Sequence, residues 1–147
     1  MVCLGNICRS PLAHGILEDK VRRLGLDWEV ESAGTSGWHN GEPPDSRSVA
    51  VAAENGIDIS RQRSRKFFAS DFKDFDLIIA MDRSNYKNIL SLSPGGDSEK
   101  KVKLLMDYAY PGQNREVPDP YYEGGFPAVF DMVGEAVDAL VDSHVKR

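Results

Sequence analysis

Cysteine and histidine are scarce in this chain, which holds two of one and three of the other in 147 residues. Histidines so scattered, with so few cysteines, leave too few suitably spaced ligands for a zinc site, so no metal is expected. Cys3 and Cys8 stand five apart, and a disulfide there would close a tiny loop and stabilise little. A reactive thiol is the reading left to pursue. Long apolar runs are missing as well: Leu77-Ile78-Ile79-Ala80-Met81 falls far short of the roughly 20 residues that span a bilayer, so no membrane partner is expected. Nor is there an excess of positive charge. Eighteen basic against 23 acidic residues give a net charge of −5, the wrong sign for a chain held to nucleic acid through phosphate neutralisation. One cluster, Arg61-Gln62-Arg63-Ser64-Arg65-Lys66, runs the other way. It reads either as a solvated turn or helix face, or as the border of an anionic substrate's approach path. No secretory leader is read ahead of the polar Gly5-Asn6 pair, which makes a cytoplasmic location the expectation.

What is present suits one ordinary globular domain. Residues 11–24 predict a helix: Pro11 fits a first turn, Leu17, Val21 and Leu24 share a face, and Gly25 supplies the stop. Residues 28–32 alternate like a short strand, 34–44 are rich in glycine and proline and read as a loop, and 46–55 form a small-residue helix. The apolar runs at 77–81 and 102–106 predict strands covered on both faces, with Asp82 capping a helix between them. Phe126, Val129, Phe130, Val133, Val137, Leu140, Val141 and His144 keep a helical period to the end. Strands alternating with helices imply an α/β fold, a parallel sheet with helices on both faces, and ligands held beyond the carboxyl ends of its strands.

The chemistry concentrates in Cys3-Leu4-Gly5-Asn6-Ile7-Cys8-Arg9-Ser10-Pro11. A loop runs from Cys3 into a helix starting near Arg9. Gly5 can adopt conformations closed to other residues, and Asn6 tolerates the left-handed one. Such a loop turns successive backbone N–H groups inward and forms an anion cradle at the positive end of a helix. The same field favours the thiolate of Cys3. Arg9 closes the cradle with a planar fork matched to two phosphate oxygens. Phosphoryl transfer needs this kind of charge stabilisation, which arginine and backbone amides supply without a divalent metal. Ser10 can hydrogen-bond the Cys3 sulfur and ease its departure.

The string resembles the signature of the low-molecular-weight protein tyrosine phosphatases. Ser32-Ala33-Gly34-Thr35, Ala80-Met81-Asp82-Arg83-Ser84-Asn85 and Pro118-Asp119-Pro120-Tyr121-Tyr122 resemble further family motifs in the same order, so the likeness covers nearly the whole chain. It implies a single-domain, three-layer, Rossmann-like sandwich over residues 1–147 with a central four-stranded parallel sheet, and no cofactor. The implied activity is hydrolysis of phosphotyrosine proteins or small aryl phosphates through a cysteinyl-phosphate, with inorganic phosphate as product. Cys3 is then the nucleophile, Arg9 the clamp and Asp119 the general acid. On its own Asp119 reads as an exposed turn aspartate, although flanking prolines would stiffen a catalytic loop. Leu4, Gly5, Asn6, Ile7, Cys8 and Ser10 form the phosphate-binding loop. Asn6, Ser10 and Ser32 hold it in shape, and Asp82 stands near Arg9 or serves only as a helix cap. Trp38, Tyr121 and Tyr122 would wall a slot deep enough to select an aryl phosphate over phosphoserine. His39 either tunes approach or is a plain loop histidine. Cys8 either traps an oxidised Cys3 as a disulfide or is a small buried hydrophobe.

Arsenate reductases of related fold need further cysteines. A protein-arginine phosphatase of related fold carries threonine where this chain has Ile7, and a non-catalytic phosphotyrosine-binding module would lack Cys3 or Asp119. The resemblance also implies a strand of about five residues leading into the nucleophile. Here Met1-Val2 precede Cys3, and so short a strand is expected to lose backbone pairing and core burial. After Ser60 the family often places a histidine that braces the cradle, where this chain has Arg61.

Overall fold

All strand residues except Lys103, which is exposed, are buried in the computed structural model, which describes residues 1–145. The strands are β1 (Val2–Cys3), β2 (Ala33–Gly34), β3 (Ile78–Ala80) and β4 (Val102–Leu104). They form one parallel sheet in the order β2-β1-β3-β4. Successive side chains point to opposite faces. Accordingly Cys3, Ile79 and Met81 enter one apolar cluster, while Val2, Ile78, Ala80, Val102 and Leu104 enter another. The first cluster lies under α1 (Arg9–Leu24), α2 (Ser46–Glu54) and α6 (Phe126–His144). The second lies under α3 (Asp71–Asp74) and α4 (Arg83–Ser91). A four-residue helix, α5 (Pro120–Glu123), follows Asp119. The expected three layers are therefore present. Among the described residues no helix is long and apolar enough to cross a membrane.

The final helix spans 126–144 as its periodicity predicts. Val133, Val137, Leu140 and Val141 are essentially sealed from solvent. Each such burial contributes about 1.5–3 kcal/mol. His144 departs from the predicted face: it is exposed and packs edge-on against Trp28. Helix α1 begins at Arg9, two residues ahead of the predicted Pro11, and ends at Gly25 in the left-handed conformation (φ 66°). The Gly25 and Leu26 N–H groups close its last turn on Arg22 and Val21.

The strand predicted at 28–32 is corrected: the pairing segment is Ala33–Gly34, immediately downstream. Pairing follows the partner, and β1 offers only Val2 and Cys3, which match Ala33 and Gly34. The short β1 keeps its central place, with Val2 also paired to Ala80. Ahead of it, the Met1 ammonium donates to the Glu31 carbonyl at 2.9 Å, and burial lowers its pKa to about 5. A cleft of about 720 Å³ opens there, at the amino ends of β1 to β3, among Met1, Trp28, Leu77, Ile78 and Leu140. The strand predicted at 102–106 is shorter too, because residues 105–107 tighten into a 3-10 turn.

Candidate active site

At the opposite, carboxyl end of the sheet, β1 delivers Cys3 to a loop that climbs into α1. Asn6 holds the left-handed conformation (φ 57°) that turns this loop back on itself. Its buried side chain fixes that turn from both sides. Asn6 Nδ2 donates to Ser10 Oγ at 2.8 Å, and Asn6 Oδ1 accepts the Arg65 N–H at 3.1 Å. Ser10 Oγ lies 3.0 Å from Cys3 Sγ. The amino end of the 16-residue α1 thus faces the loop and gives it a positive field.

Arg9, the first residue of α1, is 3% exposed, so its charge needs partners. Its Nη1 donates to Asp82 Oδ2 at 2.6 Å and to the Val117 carbonyl at 3.0 Å, while Nη2 lies 3.6 Å from Asp119 Oδ2. Burial works against the charge. Cys3 and the carboxylates of Asp82 and Asp119 outweigh it and raise the Arg9 pKa. Asp82 serves both readings: Oδ2 holds Arg9, and Oδ1 caps α4 through the Asn85 N–H at 2.7 Å. Asp119 caps α5, accepting the Tyr121 N–H at 3.0 Å, and its side chain is about a third exposed.

Cys3, Arg9 and Asp119 meet around one pocket of about 110 Å³. Leu4, Gly5, Ile7 and Cys8 line it from the loop, and Trp38, His39, Tyr121 and Tyr122 from the rim. Trp38 and Tyr122 are strongly exposed (77% and 87%), leaving two aromatic walls open to a planar ligand. Cys8 is a buried free thiol, and burial, aided by Asp45, pushes its pKa up to about 12.

A small pocket lined by a cysteine, an arginine and a carboxylate beside a helix amino end makes a phosphatase the chemistry to test against known proteins. The family model for low molecular weight phosphotyrosine protein phosphatase matches residues 1–147. The chain belongs to that family. A low molecular weight phosphotyrosine protein phosphatase of Schizosaccharomyces pombe is 44% identical, covering 96% of this chain and 88% of that one. Among solved structures, Vibrio vulnificus Wzb in complex with benzylphosphonate superposes with a TM-score of 0.86 at 26% identity, covering 97% of this chain and 94% of that one. A Drosophila arginine phosphatase gives a TM-score of 0.89 at 33% identity, covering 99% and 96%.

In this phosphotyrosine phosphatase two expected braces are arranged differently. Ser32 does not reach the cradle: its Oγ pairs with His14 Nδ1 at 3.0 Å. Arg61 is exposed, and its neighbour Gln62 reaches inward instead, donating to the Pro11 carbonyl at 3.1 Å. The basic cluster divides. Arg65 pairs with Asp71 at 3.0 and 3.1 Å and supports Asn6 through its backbone, and Arg63 bonds the Ser60 and Gln62 carbonyls. Val117 has no role in the sequence reading, and Gln62 and Arg65 appear there only as members of the basic cluster. Only the residue types around Val117, a valine beside two prolines' reach, are visible in sequence, and they carry no signal for a carbonyl that holds a guanidinium.

Proposed function

We propose that this phosphatase works through a cysteinyl-phosphate on Cys3, without a metal. The convergence of Cys3, Arg9 and Asp119 on one small pocket carries the reading. The Cys3 thiolate attacks phosphorus, the P–O bond to the tyrosine phenol breaks, and Asp119 donates a proton to the departing phenolate. Backbone N–H groups of the loop and the Arg9 fork hold the equatorial oxygens. The Asp119 carboxylate then takes a proton from water as its oxygen attacks phosphorus. The P–S bond breaks, and the Ser10 hydroxyl, 3.0 Å from Sγ, steadies the returning thiolate as inorganic phosphate leaves.

Substrate choice follows from the walls. Ile7, Leu4, Trp38, Tyr121 and Tyr122 favour a flat aryl phosphate on a protein or small molecule, and Ile7 offers no hydroxyl to a guanidinium. Cys8 would capture an oxidised Cys3 as a disulfide and make inactivation reversible. Two free thiols fit a reducing compartment such as the cytoplasm. The deciding experiment measures kcat/KM on phosphotyrosine, phosphoserine and phosphoarginine peptides, with and without EDTA, for the wild type and Cys3→Ser. Phosphotyrosine should dominate, EDTA should change nothing, and Cys3→Ser should be inert. Turnover surviving in Cys3→Ser, or lost to EDTA, would overturn the mechanism, and preference for phosphoarginine would overturn the substrate.

A further inference from the structure

The reacting groups come from two separate pieces of chain, the cradle at 3–10 and the Asp119 loop, which must keep a fixed gap for a proton to pass. The amino end of α2 touches both. On the cradle side, the Asp45 N–H donates to the Ile7 carbonyl at 2.8 Å, and the buried Ser48 hydroxyl reaches the Cys8 carbonyl at 3.3 Å. On the other side stands Arg47. Its Nη2 donates to the Tyr121 carbonyl at 3.1 Å, and its guanidinium lies 4.6 Å from the Phe126 ring and 5.7 Å from the Tyr121 ring. Asp45 holds that guanidinium in a fork, Nε to Oδ1 and Nη2 to Oδ2, each at 3.0 Å.

We propose that Arg47 is a positioning residue that ties the general-acid loop to the phosphate cradle. The link runs from Ile7 through Asp45 to Arg47, and on to Tyr121, whose N–H already holds Asp119 Oδ1. The fork edge of Arg47 is taken up by Asp45, so it is not offered to a substrate phosphate. A planar guanidinium suits the task because one group can grip a carboxylate, donate to a carbonyl and lie over a ring. Lysine cannot do all three.

The proposal rests on the reading of Asp119 as general acid, and the leaving group tells the two apart. Phenyl phosphate needs a proton for its departing phenolate, whereas 2,4-dinitrophenyl phosphate does not. The value of kcat/KM reports the step that forms the phosphoenzyme. Arg47→Met should lower kcat/KM for phenyl phosphate by roughly tenfold, a part of the general-acid contribution, and leave dinitrophenyl phosphate nearly unchanged. Arg47→Lys should recover little of the loss. In an Asp119→Asn background, Arg47→Met should cost phenyl phosphate nothing further, because both act through one proton. Partial unfolding would lower both substrates equally, so their ratio remains a valid readout. An equal loss on both substrates, or an additive loss in Asp119→Asn, overturns the role of Arg47. If Asp119→Asn alone shows no leaving-group dependence, the reading of Asp119 fails, and the proposal for Arg47 with it.

Discussion

Asp82→Asn removes a charge from the Arg9 pair while keeping the shape and the helix cap. The 2.6 Å bond joins a guanidinium that is 3% exposed to a carboxylate that is 20% exposed. Deleting one partner of a buried pair costs about 3–5 kcal/mol, because the other charge is left uncompensated. Two features of this site lower that figure. Asp82 is partly solvated, and Arg9 keeps the Val117 carbonyl at 3.0 Å and Asp119 at 3.6 Å. A loss of about 2 kcal/mol is therefore expected for Asp82→Asn. Asparagine caps a helix as well as aspartate, so the Asn85 N–H stays satisfied. Asp82→Ala loses the cap too and should cost about 1 kcal/mol more. Urea unfolding reads both: with m of about 1–3 kcal/mol/M, 2 kcal/mol moves the midpoint by roughly 1 M. If Asp82→Asn unfolds within about 0.5 kcal/mol of the wild type, the carboxylate is not what steadies Arg9. If Asp82→Ala is no worse than Asp82→Asn, the cap reading fails.

Two further outcomes follow from a buried thiol and a half-buried imidazole. Alkylation by iodoacetate at pH near neutral should fall on Cys3 and spare Cys8, whose thiol burial holds at about 12; comparable labelling of both, seen by peptide mass spectrometry, would refute this. His14 has its pKa lowered below 6.5 by burial, which Glu18 at 3.4 Å only partly opposes. The unfolded chain therefore takes up the proton first, so this contribution to stability is present above pH 6.5 and is lost as pH falls below it. His14→Gln should flatten that slope in urea titrations between pH 7.5 and 5.5 (about one unit either side of the ordinary histidine value); an unchanged slope would remove His14 as its source.

The cradle was legible because its parts are contiguous. Gly5 and Asn6 permit the turn, α1 begins at Arg9, and Cys3 and Ser10 are set opposite each other by seven residues of local geometry. The last helix was legible for a similar reason, since period and burial are both local properties of its residues. Asp119, proposed as the general acid, and the aromatic rim were visible only through likeness to the family, since an aspartate between prolines and a pair of tyrosines have no distinctive chemistry until a cradle faces them.

Other features were decided by the tertiary structure. Arg9 finds Asp82 and Val117, 73 and 108 positions away, and no local pattern states that pairing. Ser32 turns to His14 rather than to the cradle, and the β2 pairing falls on Ala33–Gly34 because β1 presents only two residues to match. In sequence Arg65 reads as part of a basic run, either solvated or bordering a substrate's path, whereas in the fold Asp71 holds it at 3.0 Å. The sequence by itself put a thiol, a turn-forming Gly-Asn pair and an arginine at a helix start into one contiguous string, since a tight loop and a helix start obey short-range rules. The tertiary structure settled what holds those groups at their working distances. Charges far apart in the chain acquire partners only when burial removes the water that would otherwise serve them.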